Sequence, residues 1–408
     1  MKIRMTLENL EKAMSSISAI IADKMAQEEV KNLILWVKEG KVKFVGANYY
    51  ITNINNIDCE LEQEEGSGES FISLRAKDIN DIMATFKGLK KTKVEYVDFI
   101  IGENNAIMEI KEVPIDDKDE FAAKLNQVSK FKITRPRMKP ILEKQIKEID
   151  TTVEGTPIVC ADLRLYIDAL LPTIAKETRE NVNHMLFGED YIYTVLSTYV
   201  AIMKNELPKE QKSVISDFKL QNTIVNFLKG FMGNLETISI HKHKFETGKV
   251  VLTIIKDDAI AVISCADLQR TFDIKGYMEL PQNKIAVDKL YLLDVLKRMN
   301  LSVEAAFVEV DLDGTEGNGY TPTMKVTSKN MTQEIPLRKA KGTGKYNFSM
   351  RAELLSSMVF GQTNLDENVF FSLDIKDNSV ILACSDNTNI WATRMNGLAI
   401  TKGNFDWH

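Results

Sequence analysis

One strand–helix–strand unit recurs three times along this chain, and that recurrence limits the possible folds more than any other feature. The helix-bearing copies are Ser70–Gly88, Val214–Gly233 and Lys345–Gly361. In each copy an alternating strand precedes a helical apolar stripe, and further alternating strands follow. The copies are spaced far more widely than solenoid repeats, which have roughly 20–50 residues. The chain is therefore expected to contain three duplicated domains.

Composition places the chain among globular proteins. Its 408 residues, 44% hydrophobic and 27% charged, fit about two to four domains and exclude general disorder. We find no signal-peptide core and no apolar run near the ~20 residues of a membrane span, and therefore expect a cytoplasmic protein with no membrane partner. The cysteines, Cys59, Cys160, Cys265 and Cys384, form no CxxC pair, which favours buried thiols over zinc or disulfides.

The first copy is itself a doubled strand–helix–strands motif. In its first helix, Leu10, Met14 and Ile17 recur at helical spacing and predict one buried stripe. In its second helix, Ile79, Met83 and Phe86 do the same. The predicted elements are strand Lys2–Leu7, helix Glu8–Asp23, strands 32–38, 41–46, 49–53 and 71–74, helix 76–87, and strands 93–101 and 106–113.

The second and third copies follow the same order, but the start of the second is ambiguous. Its first strand and helix fit either Phe131–Asp150 or Thr156–Lys176. The distance along the sequence from the first strand to the second strand in the other copies favours the second placement. Residues 116–155 would then be an elaborated linker, and Pro172 would interrupt a helix. The second copy continues with a helix stripe of Leu220, Ile224, Phe227 and Phe231 and a hairpin at 250–255 and 259–264. The third copy is predicted to start near Asn283, with its second helix from Met350 and closing strands at 369–375, 379–384 and 389–395.

The sequence lacks the usual signatures of catalysis. It contains no phosphate-binding glycine loop, no GxSxG and no HExxH. His241 and His243 alternate in a strand without a third ligand, and the aspartates after Glu309 lack the carboxylate that an EF-hand loop needs at Tyr320. We therefore expect no catalytic residues, no metal and no cofactor.

Basic residues recur on the predicted helix faces and helix ends of all three copies. The net charge is −6, but segregated charge can place a basic face on an acidic protein. Such a face suits sequence-independent contact with phosphates, and Asp81, Asp168 and Asp294 would moderate it. The candidate DNA-facing residues are Lys12, Lys24, Lys77, Lys87, Arg164, Lys176, Lys219, Lys229, Lys289, Lys297, Arg298 and Arg351.

Several segments together resemble the bacterial β-type sliding clamps, the processivity factors of replicative DNA polymerases. They are the opening MKIRMTLENLEKAMSSI, then NLILWVKEGKVKFVGANYYI, Val182–Phe187, Tyr193–Met203 and the strand Ile390–Met395. The resemblance implies an α+β fold of three tandem clamp domains, with helices lining a ring and sheets outside. The expected parts are domain 1 at 1–115, linker 116–155, domain 2 at 156–282, domain 3 at 283–396 and a tail at 397–408.

The resemblance also implies partners and a peptide pocket. The partners are double-stranded DNA held topologically, a replicative polymerase, a clamp loader and a second copy in a head-to-tail homodimer ring. The pocket, between domains 2 and 3, would be lined by Val182, Val195, Val200, Leu280, Pro281, Trp391, Thr393 and Met395. Alternatively, the three valines would simply pack in the hydrophobic core.

The chain departs from the family at this pocket. Ser197-Thr198-Tyr199 stands where the family often has Gly-His-Arg, and Thr393-Arg394-Met395 stands where it has Met-Pro-Met. A divergent or phage-encoded clamp with its own partner motif would account for both, and Phe405 and Trp407 of the tail are candidates to dock in a pocket. The rival interpretations are an open, monomeric processivity or checkpoint-type clamp and an enzyme with an unrecognised site.

Overall fold

A computed structural model shows where the helices of this chain begin and end. It describes residues 1–21, 31–62, 68–89, 92–115, 127–171, 174, 184–195, 199–256, 258–268, 284–300, 307–313, 323–328, 331–336, 339–341, 345–351, 355–356, 368–376, 379–385 and 389–396. The helices named here are α1 (Leu7–Ile21), α2 (Ala76–Thr85), α3 (Pro140–Lys147), α4 (Cys160–Leu170), α5 (Lys209–Val214), α6 (Asn222–Met232) and α7 (Lys289–Asn300).

The strands fall into three successive groups along the chain. The first group is β1 (Lys2–Met5), β2 (Asn32–Lys38), β3 (Lys41–Ala47), β4 (Ile51–Asn56), β5 (Glu60–Glu62), β6 (Ser70–Arg75), β7 (Thr92–Ile101), β8 (Ala106–Pro114) and β9 (Gln127–Ile133). The second is β10 (Thr156–Val159), β11 (His184–Phe187), β12 (Tyr191–Val195), β13 (Tyr199–Lys204), β14 (Phe218–Gln221), β15 (Thr237–Lys244), β16 (Lys249–Lys256) and β17 (Ala259–Asp267). The third is β18 (Lys284–Asp288), β19 (Phe307–Asp313), β20 (Thr323–Ser328), β21 (Met331–Pro336), β22 (Lys339–Lys341), β23 (Lys345–Arg351), β24 (Asn368–Lys376), β25 (Ser379–Ser385) and β26 (Asn389–Asn396).

The chain divides into two compact units, residues 1–160 with 226–266, and residues 161–225 with 267–408. In the first unit, one sheet has the order β5-β1-β7-β8-β9, and antiparallel pairings also link β6-β2-β3-β4-β17-β16-β15-β10. In the second unit, one sheet has the order β21-β20-β19-β23, and pairings link β14-β11-β12-β13-β26-β25-β24-β18-β22. The middle copy of the repeat contributes residues to both units.

The same two strand pairings recur in all three copies. The first strand of each copy pairs with the strand that follows its second helical segment, giving β1 with β7, β10 with β15 and β18 with β24. The strand after the first helix pairs with the strand before the second helical segment, giving β2 with β6, β11 with β14 and β19 with β23. The recurrence in sequence is therefore also a recurrence in topology. Thr156 begins the counterpart of β1, whereas Phe131 lies in β9 beside β8.

One apolar core joins α1 and α2 to both sets of strands in residues 1–133. Thr6 begins α1, because its side-chain Oγ1 accepts a hydrogen bond from the backbone N–H of Asn9 at 3.1 Å. The predicted stripe of Leu10, Met14 and Ile17 is buried, as is the predicted stripe of α2. Both predictions are confirmed, and α1 and α2 present their remaining faces away from this core.

Strand β2 is buried on both of its faces. Leu33, Leu35 and Val37 belong to the core of α1 and α2, whereas Ile34 and Trp36 belong to a second apolar cluster. Helix α3 covers that second face with Leu142 and Ile146, which are both almost fully buried. The side chain of Gln145 adds a hydrogen bond of 2.7 Å to Thr52 Oγ1.

Three predicted elements differ from the structure because strand alternation continues further than we expected. Residues 127–133, assigned to the linker, form β9 and extend the sheet of β8. Met350, predicted to begin a helix, lies in β23 beside Val308 of β19. Leu220, predicted in a helix stripe, lies in β14, because α6 begins at Asn222.

Candidate functional site

The predicted basic residues of the first unit lie on the surface of its helices. Lys12 on α1 and Lys77 on α2 are exposed, and Lys87 follows α2 and is exposed as well. Both helices pack into one core and contact each other. Lys12 forms an ion pair with Asp258, so part of its charge is already compensated.

Asp258 is held ionised by this arrangement. Burial by itself favours its neutral form, but the hydrogen bond and charge of Lys12, together with the charge of Lys256, lower its pKa overall. The positive electrostatic potential on the exposed face of α1 is therefore weaker than its lysines alone would produce.

The remaining basic candidates are spread over helices and strands. Exposed candidates are Lys229 on α6 and, in the last turn of α7, Lys297 and Arg298. Cations in the last turn of a helix also stabilise it through the helix dipole. Arg164 on α4 and Lys289 at the start of α7 are half-buried.

Two candidates lie in strands and not in helices. Lys219 is in β14 opposite Leu186 of β11, and Arg351 ends β23 opposite Phe307. The prediction that both open a helix is wrong, because the strand before each helical segment continues through them. Lys24 and Lys176 lie outside the described residues.

Strands β12, β13 and β26 bring together several predicted pocket residues from distant parts of the sequence. Val195 pairs with Val200 across the β12–β13 turn. Val200 pairs in turn with Ala392 of β26, which stands between Trp391 and Thr393. Backbone pairing therefore connects Val195 and Val200 to the strand that carries Trp391, Thr393 and Met395.

The remaining predicted pocket residues have no described position. Val182, Leu280 and Pro281 lie outside the described residues. The nearest described group to Val182 along the chain is His184, at the start of β11. Burial, and then the charge of Lys219, lower the pKa of His184 to about 4, so its ring is neutral at pH 7.

A metal site and a membrane span have no support in the described part of the chain. No group of three or more histidine, cysteine, aspartate or glutamate side chains there is arranged to hold a metal ion. None of the helices in the described ranges is long and apolar enough to cross a membrane.

Comparison with known proteins gives a structural match without a sequence match. No family model matches the chain, and no curated protein does. A putative DNA polymerase III β subunit from Eubacterium rectale superposes with a TM-score of 0.71 at 13% identity, over 97% of this chain and 100% of that chain. The chain has the sliding-clamp fold.

Further solved clamps agree with this assignment of the fold. DNA polymerase III subunit β from Borrelia burgdorferi gives a TM-score of 0.70 at 16% identity, over 97% of this chain and 99% of that chain. The β subunit from Thermotoga maritima gives 0.68 at 13% identity, over 98% and 100%. The predicted α+β clamp architecture, which rested on short motifs in the right order, is confirmed.

On this clamp fold, sequence reasoning missed a groove beside the β2–β3 hairpin. The groove has a volume of about 870 Å³ and is lined by parts of β2, β3, β5 and the segment after α3. One signal was present in the sequence, since the hairpin carries Lys38, Lys41 and Lys43 within a few residues. The long-range contacts that close the groove could not be inferred from sequence.

Proposed function

We propose that this protein is a DNA polymerase sliding clamp, a processivity factor without catalytic activity of its own. It would encircle duplex DNA as a head-to-tail homodimer and tether a replicative polymerase, after being placed on DNA by a clamp loader. The observation that carries the proposal is the match of nearly the whole chain to solved clamps. The threefold recurrence of the same strand pairings supports it independently.

The proposed organisation has three clamp domains, 1–115, 156–282 and 283–396, followed by the tail 397–408. Since β9 joins the sheet of β1, β7 and β8, and α3 covers one face of the strands β2, β3 and β4, the segment 116–155 would serve as an elaboration of the first domain as well as a linker. In each domain the exposed helix faces would meet the phosphates. Contacts of this kind carry no sequence information and permit sliding.

Two edge strands support closure by a second copy. In the described residues, β9 ends one sheet and β21 ends another, and each pairs on one side. The exposed side chains on β9 include Lys132 and Lys130, which also pairs with Glu109 of β8, whereas β21 exposes Glu334. Antiparallel pairing of β9 from one copy with β21 from another would cover both edges and place opposite charges together.

The solution mass tests this assembly directly. The chain has a mass of 46.2 kDa, so two copies weigh twice that, about 92 kDa. We expect light scattering to give the dimer mass over a dilution series. Lys130→Glu with Lys132→Glu should give the monomer mass, and adding Glu334→Lys should restore part of the dimer.

The control for this experiment is Lys93→Glu, which changes an exposed lysine on β7, away from both edges. It should leave the mass unchanged. A wild-type protein that stays monomeric at every concentration would contradict the homodimer and favour an open processivity factor.

The peptide pocket is the second part of the proposal. The backbone pairing of β13 with β26, in which Val200 is opposite Ala392, supports it because it joins two distant segments of the chain that carry predicted pocket residues. Trp391→Ala with Met395→Ala should abolish capture of the replicative polymerase and leave the dimer mass unchanged. Phe245→Ala, which changes an exposed residue in the first unit, serves as the control.

A further inference from the structure

The hairpin wall of the groove beside β2 and β3 carries three lysines, although Glu39, Asp58 and Glu69 also line the groove. Lys38 and Lys41 are exposed, and Lys43 is half-buried next to them. In the described part of the chain, none of the three forms an ion pair. By contrast, Lys147 at another side of the groove is held by Glu143 at 2.7 Å.

The register of the hairpin places two of these lysines directly against each other. Lys38 pairs with Lys41, and Lys43 pairs with Trp36, whose ring centroid lies 4.9 Å from the ammonium group. Like charges directly opposite in an antiparallel pair lower stability. Lys38 and Lys43 both approach the Trp36 ring, and these cation–π contacts offset part of the repulsion.

Burial adds to the cost at Lys43. Desolvation, followed by the charges of Lys38 and Lys41, lowers the pKa of Lys43. An anion bound in the groove would reverse these effects, because it would compensate all three charges at once.

The turn that joins the lysines is also strained. Glu39 has φ of 53° and Gly40 has φ of 71°. Glycine adopts this left-handed region freely, whereas for glutamate it costs about 1 kcal/mol. Backbone strain of this kind is concentrated at functional sites, and here it lies on the wall of the groove.

We propose that this groove binds an acidic, extended peptide segment of a partner protein, with its carboxylates on Lys38, Lys41 and Lys43. This site is separate from the peptide pocket proposed above and from the α1 and α2 face. Alternate side chains of an extended peptide point in opposite directions. Carboxylates on one side would therefore meet the lysines while apolar side chains meet the half-buried Ile149.

The charge pattern favours a peptide over a nucleic acid. Asp58 and Glu69 also line the groove, and they would repel a backbone that carries a negative charge on every unit. A peptide can space its carboxylates to avoid them and offer its backbone N–H groups instead.

The probe for the test is a short fluorescein-labelled peptide in which glutamate alternates with leucine. Its control has glutamine in place of glutamate. We expect the acidic peptide to bind, and Lys38→Gln with Lys41→Gln to weaken binding about tenfold, which corresponds to ~1.4 kcal/mol. Lys93→Gln with Lys144→Gln removes the same charge from exposed positions outside the groove and should leave the affinity nearly unchanged.

Several outcomes of the binding assay would overturn the proposal. They are absence of binding to the wild-type protein, equal weakening by the two lysine pairs, and tighter groove-dependent binding of a single-stranded oligonucleotide than of the peptide. A gain of tenfold or more on Glu64→Gln with Glu65→Gln would also overturn it, because the occupant would then be this chain's own acidic segment. Removal of like charges should not unfold the protein, and circular dichroism checks this.

Cys59 provides a local readout that does not depend on lysine variants. Its half-buried thiol lines the groove, and burial, followed by the charge of Asp58, raises its pKa. At alkaline pH, the bound acidic peptide should slow maleimide modification of Cys59 severalfold, as measured by mass spectrometry. Unchanged modification with peptide bound would show that the peptide binds elsewhere and would contradict the assignment.

Discussion

The two faces of the sheet formed by β6, β2, β3 and β4 are covered in different ways. On one face, α1 and α2 pack a continuous apolar core that extends to β7 and β8. On the other face, one short helix, α3, contributes Leu142 and Ile146 to a smaller cluster. The first face uses elements that recur in the chain, whereas the second uses a segment between the first and second copies. The helical face therefore buries many more apolar residues, and the α3 face leaves room for a groove.

Neighbouring residues of β2 provide the largest expected contrast. Leu35→Ala should lower the free energy of unfolding of the first unit by about 4 kcal/mol, whereas Ile34→Ala should lower it by about 2 kcal/mol, because the thin α3 layer relaxes more easily. Native-state hydrogen exchange of amides in β3 and β4 measures both. Equal losses would contradict the contrast between the faces.

Much of this contrast could be anticipated from sequence, but not all of it. The stripes of Leu10, Met14 and Ile17 and of α2 predicted the helical face, because helical spacing is a local signal. The apolar face of α3 was also visible, but the surface that it covers was not, because residues 131–150 and 156–176 competed for the first strand and helix of the second copy. Lys219 and Met350 were misplaced because a strand and the helix after it share an apolar pattern at their junction.

Gly46 tests how closely α1 approaches the sheet on the helical face. A Cβ atom on Gly46 would lie 2.5 Å from Ile17 Cγ2, so Gly46→Ala should destabilise the first unit by about 1–3 kcal/mol. The measurement is the same exchange experiment. A double-mutant cycle with Ile17→Ala should recover part of the loss, and a lack of coupling would place the strain elsewhere.

Asp78 links the helical face to the segment that leads to α3. Its Oδ2 accepts a hydrogen bond from the backbone N–H of Thr134 at 2.8 Å, so Asp78→Ala should cost about 1 kcal/mol. Burial favours its neutral form, but the bonds from Thr134 and the charges of Arg75 and Lys77 lower its pKa overall.

The pH dependence of this link has a definite sign. Because the folded pKa of Asp78 lies below its ordinary value of 3.8, its contribution is full above that pH and is lost as the pH falls further. The stability difference between wild type and Asp78→Ala should therefore shrink only in strong acid. A difference that shrinks between pH 7 and pH 5 would show that another group is responsible.

Glu39 should give the smallest effect and the opposite sign. Glu39→Asn places a residue that tolerates the left-handed region before Gly40, and should stabilise the hairpin by about 0.5–1 kcal/mol. Thermal unfolding followed by circular dichroism measures the change. A lower melting temperature would show that Glu39 makes a stabilising contact that outweighs its backbone strain.

Retention on end-blocked duplex DNA tests the sliding-clamp proposal most directly. A linear duplex biotinylated at both ends is incubated with concentrated protein, so that closed rings thread on from free ends without a loader, and streptavidin then blocks the ends. The account predicts protein that remains on blocked DNA in high salt and leaves when the duplex is cut between the blocks, because the link is topological. Salt-sensitive binding that is the same with and without end blocks would contradict it and would identify an open DNA-binding factor.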